Sequence, residues 1–440
     1  MTKNLYKLTW PIFIELLLFM LLGFVDTYML SHYSDRAAAG VSTSNQIIMM
    51  VNIVFSITSG GTAVLTAQYL GAKKRKKASE VFAVSLIVNS IVGLLFSVGL
   101  YMGAGYIIGK LGLESSLFSH AKTYLMIVGS MSFAQAIFVT ISATIRSHGY
   151  TKISMRTTLA MNTLNAFLDA VFIFGWFNMP VLGVKGVAMA TAISRVLGML
   201  ILWGVIFSKI EHLSVLKKVK PFPWDTLKNI YKIGFPAAME VMSYDVSQMV
   251  IIYIIVSYMS ESALIAKTYV QNIVMFTYLF SAAIGQGSEI IIGHCVGERK
   301  FEEAYDLGIK SLIKAQGFTV IICFVFYLNR HGLMNLFTDD LNIIKLGSQV
   351  IAVDFVLELG RTFNVVIINS LRGAGDTLFP VVMALISMWS IGVGLAYVLG
   401  VIFNLGLTGV WIAFACDEWF RGLSMYGRWK KKKWMAKSFA

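Results

Sequence analysis

The chain has 440 residues, of which 57% are hydrophobic and 14% charged, and its mean hydropathy is +0.72. A soluble fold of this length carries more charge on its surface, so composition argues against one. The formal net charge of +14 sits in short segments between apolar runs, which is a topology signal rather than a nucleic-acid footprint.

Apolar runs of ~20 residues recur along the chain, the length needed to cross a bilayer. They predict an all-α polytopic membrane protein with twelve spans, near 8–31, 44–70, 80–108, 121–146, 154–177, 184–208, 229–258, 268–296, 306–328, 346–371, 378–402 and 407–427. The first run is too long for a signal-peptide core and reads as a retained helix. Cys295, Cys323 and Cys416 are scattered and odd in number, so no disulfide framework is implied.

Basic clusters follow span two (Lys73, Lys74, Arg75, Lys76, Lys77), separate spans six and seven (Lys217, Lys218, Lys220) and end the chain (Lys430, Lys431, Lys432, Lys433). All three fall on one side if the spans alternate, which predicts that both termini are cytoplasmic. The expected division is an N-lobe over 1–208, a cytoplasmic linker over 209–226 and a C-lobe with a basic tail over 227–440.

The two halves repeat. Pro11-x3-Glu15 matches Pro236-x3-Glu240 and Gln46 matches Gln271, each 225 residues apart. Arg146-Ser-His-Gly149 matches Arg372-Gly-Ala-Gly375 at 226, and Leu182-Gly183-x2-Gly186 matches Leu405-Gly406-x2-Gly409 at 223. Four landmarks near one offset imply two homologous six-helix halves. Six spans return the chain to its starting side, so the repeats are parallel. Such an architecture suits a transporter whose bundles rock about a site near the midplane. Pro11 and Pro236 are expected to bend or cap the first helix of each half.

Ionisable side chains inside spans are costly and mark function. Asn165 and Asp169 lie four apart, on one face of the fifth span. Rise per residue places Asp26, Asp169 and Thr191 in the outer half of the bilayer. Two carboxylates, an amide and a hydroxyl suit a proton or a hard cation, so Asp26, Asn165, Asp169 and Thr191 are the candidate cation-coupling set. The second half offers a less clean polar set: Glu240 and Asp245 in span seven, and Glu358 with Arg361 in span ten, Asp354 one turn before. Glu15 and Glu289 lie nearer the cytoplasmic ends. Met49, Met50, Met161 and Met189 are candidates for a substrate cavity, since methionine adapts to irregular apolar ligands. No HExxH, Walker A loop or CxxC occurs, so no enzyme activity and no cofactor are expected.

Several of these pieces resemble the multidrug and toxic compound extrusion (MATE) family: Pro11 with Phe24-Val-Asp26-Thr27, Gly71, Asn165-x3-Asp169, Gly183-x2-Gly186-Val187, Gly234-Phe-Pro236, Leu371-Arg372-Gly-Ala-Gly375-Asp376 and Leu405-Gly-x2-Gly409-Val410-Trp411. The resemblance implies two lobes with a large central cavity. It also implies export of organic, often cationic, compounds from the cell membrane in exchange for protons or sodium. Asp26, Asn165 and Asp169 match the N-lobe cation site of the DinF-like branch, with Thr191 a looser match. The NorM-like branch uses acids in spans seven and ten. Here Glu240 or Asp245 could stand for the first, but Arg361 occupies the second position. That departure weakens a sodium site in the C-lobe and favours N-lobe coupling. The favoured coupling ion is H+, with transient Na+ at Asp26, Asn165 and Asp169 the other choice. A monomer with small organic substrates and no nucleic-acid partner is expected. The alternative is a flippase for a lipid-linked saccharide, which would want basic residues in its cavity.

Overall fold

The computed structural model describes residues 4–211, 215 and 219–439. Lys217 and Lys218 of the expected linker cluster lie outside the described residues, as do the side chains of Phe24 and Thr27. Fourteen α-helices follow in order: α1 (Leu5–Tyr33), α2 (Asp35–Gly71), α3 (Arg75–Lys110), α4 (Ser115–Ser130), α5 (Ser132–Ser147), α6 (Thr151–Phe174), α7 (Val184–Lys209), α8 (Trp224–Tyr258), α9 (Glu261–Gly297), α10 (Phe301–Leu328), α11 (Arg330–Asn335), α12 (Leu341–Gly373), α13 (Leu378–Ser387) and α14 (Gly406–Lys430).

Nine of the described helical stretches are long and apolar enough to cross a membrane, or ten when α4 and α5 are joined across their 49° bend. The two that complete the twelve spans are α12 and α14, of 33 and 25 residues. They miss the apolar criterion because charged residues sit within them: Asp354, Glu358 and Arg361 on α12, and Asp417, Glu418 and Arg421 on α14. At about 1.5 Å per residue, even 25 residues exceed the hydrocarbon thickness of ~30 Å.

Three spans differ from the sequence expectation. The fourth is broken at Met131 rather than continuous over 121–146. The fifth stops at Phe174, short of 177, because Gly175 adopts a left-handed conformation (φ 69°) that ends the helix. The eleventh is not a plain α-helix: α13 runs on into π-helical turns at Met388–Leu395 and Val398–Ile402. Pro11 and Pro236 each lie within a continuous helix.

The chain forms two compact units. The first comprises Ile14–Thr66 and Lys74–Phe235; the second begins at Pro236 and also takes the start of α1 through Phe13 and the segment Ala67–Lys73. The boundaries therefore fall inside α1, α2 and α8. The first unit has an apolar core around Phe55, Leu100, Tyr124 and Val187; the second packs around Ile255, Val270, Leu357 and Trp411.

Within the second unit the end of α2 crosses α9 backbone to backbone. Gly71 packs on the His294 carbonyl and Gly297 on the Gln68 carbonyl, and any Cβ at either glycine would collide. The two contacts are related by an offset of 226, so one crossing carries the internal repeat on both its sides. Small residues permit this approach where bulkier ones would hold the helices apart.

The C-terminal tail secures the same corner. Gln68 Nε2 donates to the Gly373 carbonyl at 2.9 Å, and its Oε1 accepts from the Phe439 amide at 2.9 Å. Trp434 is fully buried, stacks on Trp429 at 4.3 Å and donates to the Trp429 carbonyl at 3.1 Å. Removing a buried indole costs about 3–5 kcal/mol. Trp434→Ala should therefore lower the thermal unfolding midpoint of detergent-purified protein; an unchanged midpoint would show that the tail contributes nothing to the fold.

Candidate functional site

Two acid–arginine pairs occupy equivalent places in the repeat. Glu15 Oε1 lies 3.5 Å from Arg146 Nη1 in the first unit and also accepts from Ser154 Oγ at 2.9 Å. Glu240 Oε2 lies 2.6 Å from Arg372 Nη2 in the second. The residues of each pair recur at offsets of 225 and 226, so the fold keeps this bond in both halves. Cutting one partner away from a buried pair costs about 3–5 kcal/mol. A feature that both halves share in this way reads as architecture.

The N-lobe polar cluster has no such counterpart. Asp169 and Asn165 on α6 are buried, at 0% and 1% exposure, and Asp26 on α1 is half-buried. The α6 helix is fastened to α1 by Asn162 Nδ2, which donates to the Leu18 carbonyl at 2.7 Å. The orientation of the Asn165 amide that satisfies both its ends has the nitrogen donating to Asp26 Oδ1 at 3.1 Å and the oxygen accepting from the Thr191 amide at 3.2 Å. Asp26 and Asp169 lie within hydrogen-bonding reach of each other. Two carboxylates can make that bond only when a proton lies between them. With both ionised, neither Asp169 oxygen has a hydrogen-bond donor among the described residues.

Two further side chains complete this cluster, and neither is singled out by the sequence reading. The Tyr124 hydroxyl, from α4, lies beside Thr191. Arg195, one turn after Thr191 on α7, is close enough for its charge to act on both Asp26 and Tyr124. The i, i+4 spacing from Thr191 was the available signal for Arg195. Two carboxylates against one guanidinium leave one negative charge in excess. At 4 Å and an effective dielectric of ~20, like charges repel by about 4 kcal/mol, so the cluster is suited to one added positive charge. Thr191 Oγ1 itself donates to Val187 O at 3.0 Å, leaving its lone pairs as acceptors.

The second unit contains a cavity of about 600 Å³, within the range of small-molecule sites. Its walls carry Glu240, Asp354, Arg361, Arg372, Asp417, Glu418 and Arg421, with Tyr244, Tyr278 and Trp411 among them. The charged groups form an alternating chain across α12 and α14. Arg361 binds Glu358 and reaches Glu418 at 3.5 Å; Arg421 Nη2 then bridges Glu418 at 2.9 Å and Asp417 at 2.7 Å. Ser387 donates to Asp417, Asn364 Nδ2 donates to Glu418 at 2.8 Å, and Trp411 Nε1 donates to Asp354 Oδ1 at 3.0 Å. The π-helical turn of the eleventh span contributes Met388, Gly392 and Val393 to the wall; such turns recur at functional sites.

Of the candidates in the second half, Glu240 is held by Arg372, and Glu358 pairs with Arg361. Asp245 is exposed and does not line the cavity. Asp417, Glu418 and Arg421 were not singled out, although three charged residues within five positions of an apolar span were visible. The four methionines differ in exposure. Met161 is 5% exposed and packs against Gly198, so it is a core residue, and Met189 is half-buried. Met49 and Met50 are exposed, and none of the four lines the second-unit cavity.

The family model MatE matches residues 11–171 and again 236–398. The two matches begin at Pro11 and Pro236, the offset of 225 found within the chain. The uncharacterized transporter YisQ of Bacillus subtilis is 44% identical over 100% of this chain and 96% of its own length. A probable multidrug resistance protein NorM of Thermotoga maritima is 30% identical, covering 98% and 93%. Among solved structures, MATE in a bent conformation superposes with a TM-score of 0.88 at 19% identity, covering 98% of this chain and 95% of that one. A MOP superfamily transporter from Pyrococcus furiosus, described as having a binding pocket of reversed polarity, gives 0.89 at 18%, covering 98% and 96%. Twelve membrane helices in two repeated lobes, a family model matching in both, and relatives along the full length place this chain in the MatE family of multidrug and toxic compound extrusion transporters.

Proposed function

We propose that this transporter exports small organic compounds, often cationic, across the cell membrane by alternating access, in exchange for an inward-moving cation. H+ is the favoured ion and Na+ the alternative. The coupling set is Asp26, Asn165, Asp169 and Thr191, with Tyr124 and Arg195 holding it in place. The observation that carries this reading is the pair of approaching carboxylates, one of them fully buried, opposed by a single arginine. One proton or sodium ion balances that charge. Its arrival removes the repulsion that separates α1 from α6 and lets α1 repack; its loss to the inside restores the free charge. A proton moving down 100 mV supplies about 2.3 kcal/mol, enough for a modest gradient of exported compound. The basic clusters after span two and at the chain end support cytoplasmic termini.

The flippase alternative gains one observation: three arginines line the second-unit cavity. Each is bound to a carboxylate, however, and the acids outnumber them. A phosphate would meet net negative charge there, which favours export of organic compounds over lipid-linked saccharides.

In proteoliposomes with an imposed pH or sodium gradient, Asp26→Asn and Asp169→Asn should each reduce gradient-driven dye transport to background at unchanged protein level. Full transport by both variants would reject the cluster as the coupling site. Thr191→Val removes one oxygen, a loss of about 1 kcal/mol. It should raise the cation concentration for half-maximal transport roughly fivefold without abolishing transport; an unchanged concentration would remove Thr191 from the set.

A further inference from the structure

Lys267 is a buried base of the second unit that no salt bridge among the described residues includes. It lies on α9 with 4% exposure. Among the described residues no carboxylate is within ion-pair distance of it. Among the described residues its side chain makes one hydrogen bond, from Nζ to Gln271 Oε1 at 2.9 Å, one turn along the helix. Gln271 lines the cavity. A lysine ammonium has three donors and no acceptor, so two of its donors remain for something other than Gln271. A buried charge without a counter-ion costs several kcal/mol, and an anionic group is what would compensate it.

The opposite deficiency lies on α12. Asp354 is 3% exposed and receives a hydrogen bond from the Trp411 indole, but no arginine or lysine among the described residues pairs with it. Glu358, one turn further, is fully buried and keeps Oε2 without a partner, although Arg361 holds its other oxygen. The cavity lining sets four carboxylates, Glu240, Asp354, Asp417 and Glu418, against three guanidiniums, Arg361, Arg372 and Arg421. This wall therefore carries one excess negative charge and accepts a cation. The Lys267 end is positive and accepts an anion. A metal ion or a lipophilic cation would answer only the first wall and leave Lys267 uncompensated.

We propose that the cavity of the second unit takes a small organic zwitterion. Its ammonium or guanidinium group is held at Asp354, and its carboxylate at Gln271 backed by Lys267. The volume of about 600 Å³ suits an amino-acid derivative with a bulky side group. That this ligand is the exported compound rests on the function proposed above; that it binds here does not.

The test uses one skeleton in three charge forms: Nε-dansyl-lysine with free amine and carboxylate, its methyl ester, and its Nα-acetyl derivative. Each is titrated by dansyl fluorescence against the full-length protein in nanodiscs. The zwitterion should bind about tenfold or more tightly than either blocked form, the size of one charge-assisted hydrogen bond. Lys267→Gln should erase the preference for acid over ester while leaving the preference for free over acetylated amine. Asp354→Asn should do the reverse, and Lys267→Arg should retain both. Thermal midpoints of each variant establish folding, and the Arg variant serves if the Gln variant does not fold. An ester that binds the wild type as tightly as the acid, discrimination that survives Lys267→Gln, or no binding of any form would overturn the proposal. Gradient-driven transport in proteoliposomes is a separate readout. Zwitterion binding without transport would sink the export reading and leave the site standing; dye transport without zwitterion binding would do the opposite.

Discussion

The structure depends on how charge is compensated away from water. A carboxylate in the membrane interior must be matched by a base, a cation or a proton. In most of this protein the match is internal: Glu15 with Arg146, Glu240 with Arg372, Asp376 with Arg428. Among the described residues the compensation fails in two places. Asp26 and Asp169 approach each other with Arg195 acting on Asp26, and the acids lining the second-unit cavity outnumber its arginines while Lys267 has no acid within ion-pair distance. An uncompensated charge is a standing affinity for a mobile partner. The working parts of a transporter are expected where the fold leaves its own electrostatics incomplete.

The internal repeat separates architecture from function. What both halves keep is structural: the Glu–Arg pair, the glycine crossing of α2 and α9, the proline in the first helix of each half. What only one half has is a candidate for chemistry. An offset of 225 sets Asp26 against Ile251, a core residue of α8. An offset of 223 sets Arg195 against Glu418, a reversal of sign at matching positions. Duplication supplied two similar bundles, and each carries its own polar set. One half offers a site for a small cation, and the other a chamber large enough for an organic molecule.

The helical membrane architecture and the repeat were legible because both are written in long-range pattern: apolar runs of bilayer length, and landmarks at a nearly constant offset. Asp26, Asn165 and Asp169 were legible because polar residues inside apolar spans are conspicuous. The partners were harder to read. Tyr124 and Arg195 come from α4 and α7, and only tertiary packing brings them to the acids. The Glu–Arg pairs were nearer to hand, since the acids and the arginines both recur at the repeat offset, but the offset does not say that the two touch. Met161 misled because an apolar side chain within a span gives no sign of whether it faces a cavity or, as here, the small Gly198. The break at Met131 and the π-helical turns after Ser387 do not interrupt the apolar runs by which spans are read, so hydropathy alone passes over them.

Infrared difference spectroscopy on purified protein with isotope-labelled aspartate tests the central claim most directly, because the C=O band of a protonated carboxyl is distinct from that of a carboxylate. The account predicts one protonated aspartate in the N-lobe cluster under conditions that support transport. Its band should disappear on raising pH, or on adding sodium if sodium takes the same place, and it should be missing from a variant lacking Asp169. A spectrum in which both aspartates stay ionised throughout, with no response to proton or sodium, would contradict the claim that this pair takes up the coupling cation.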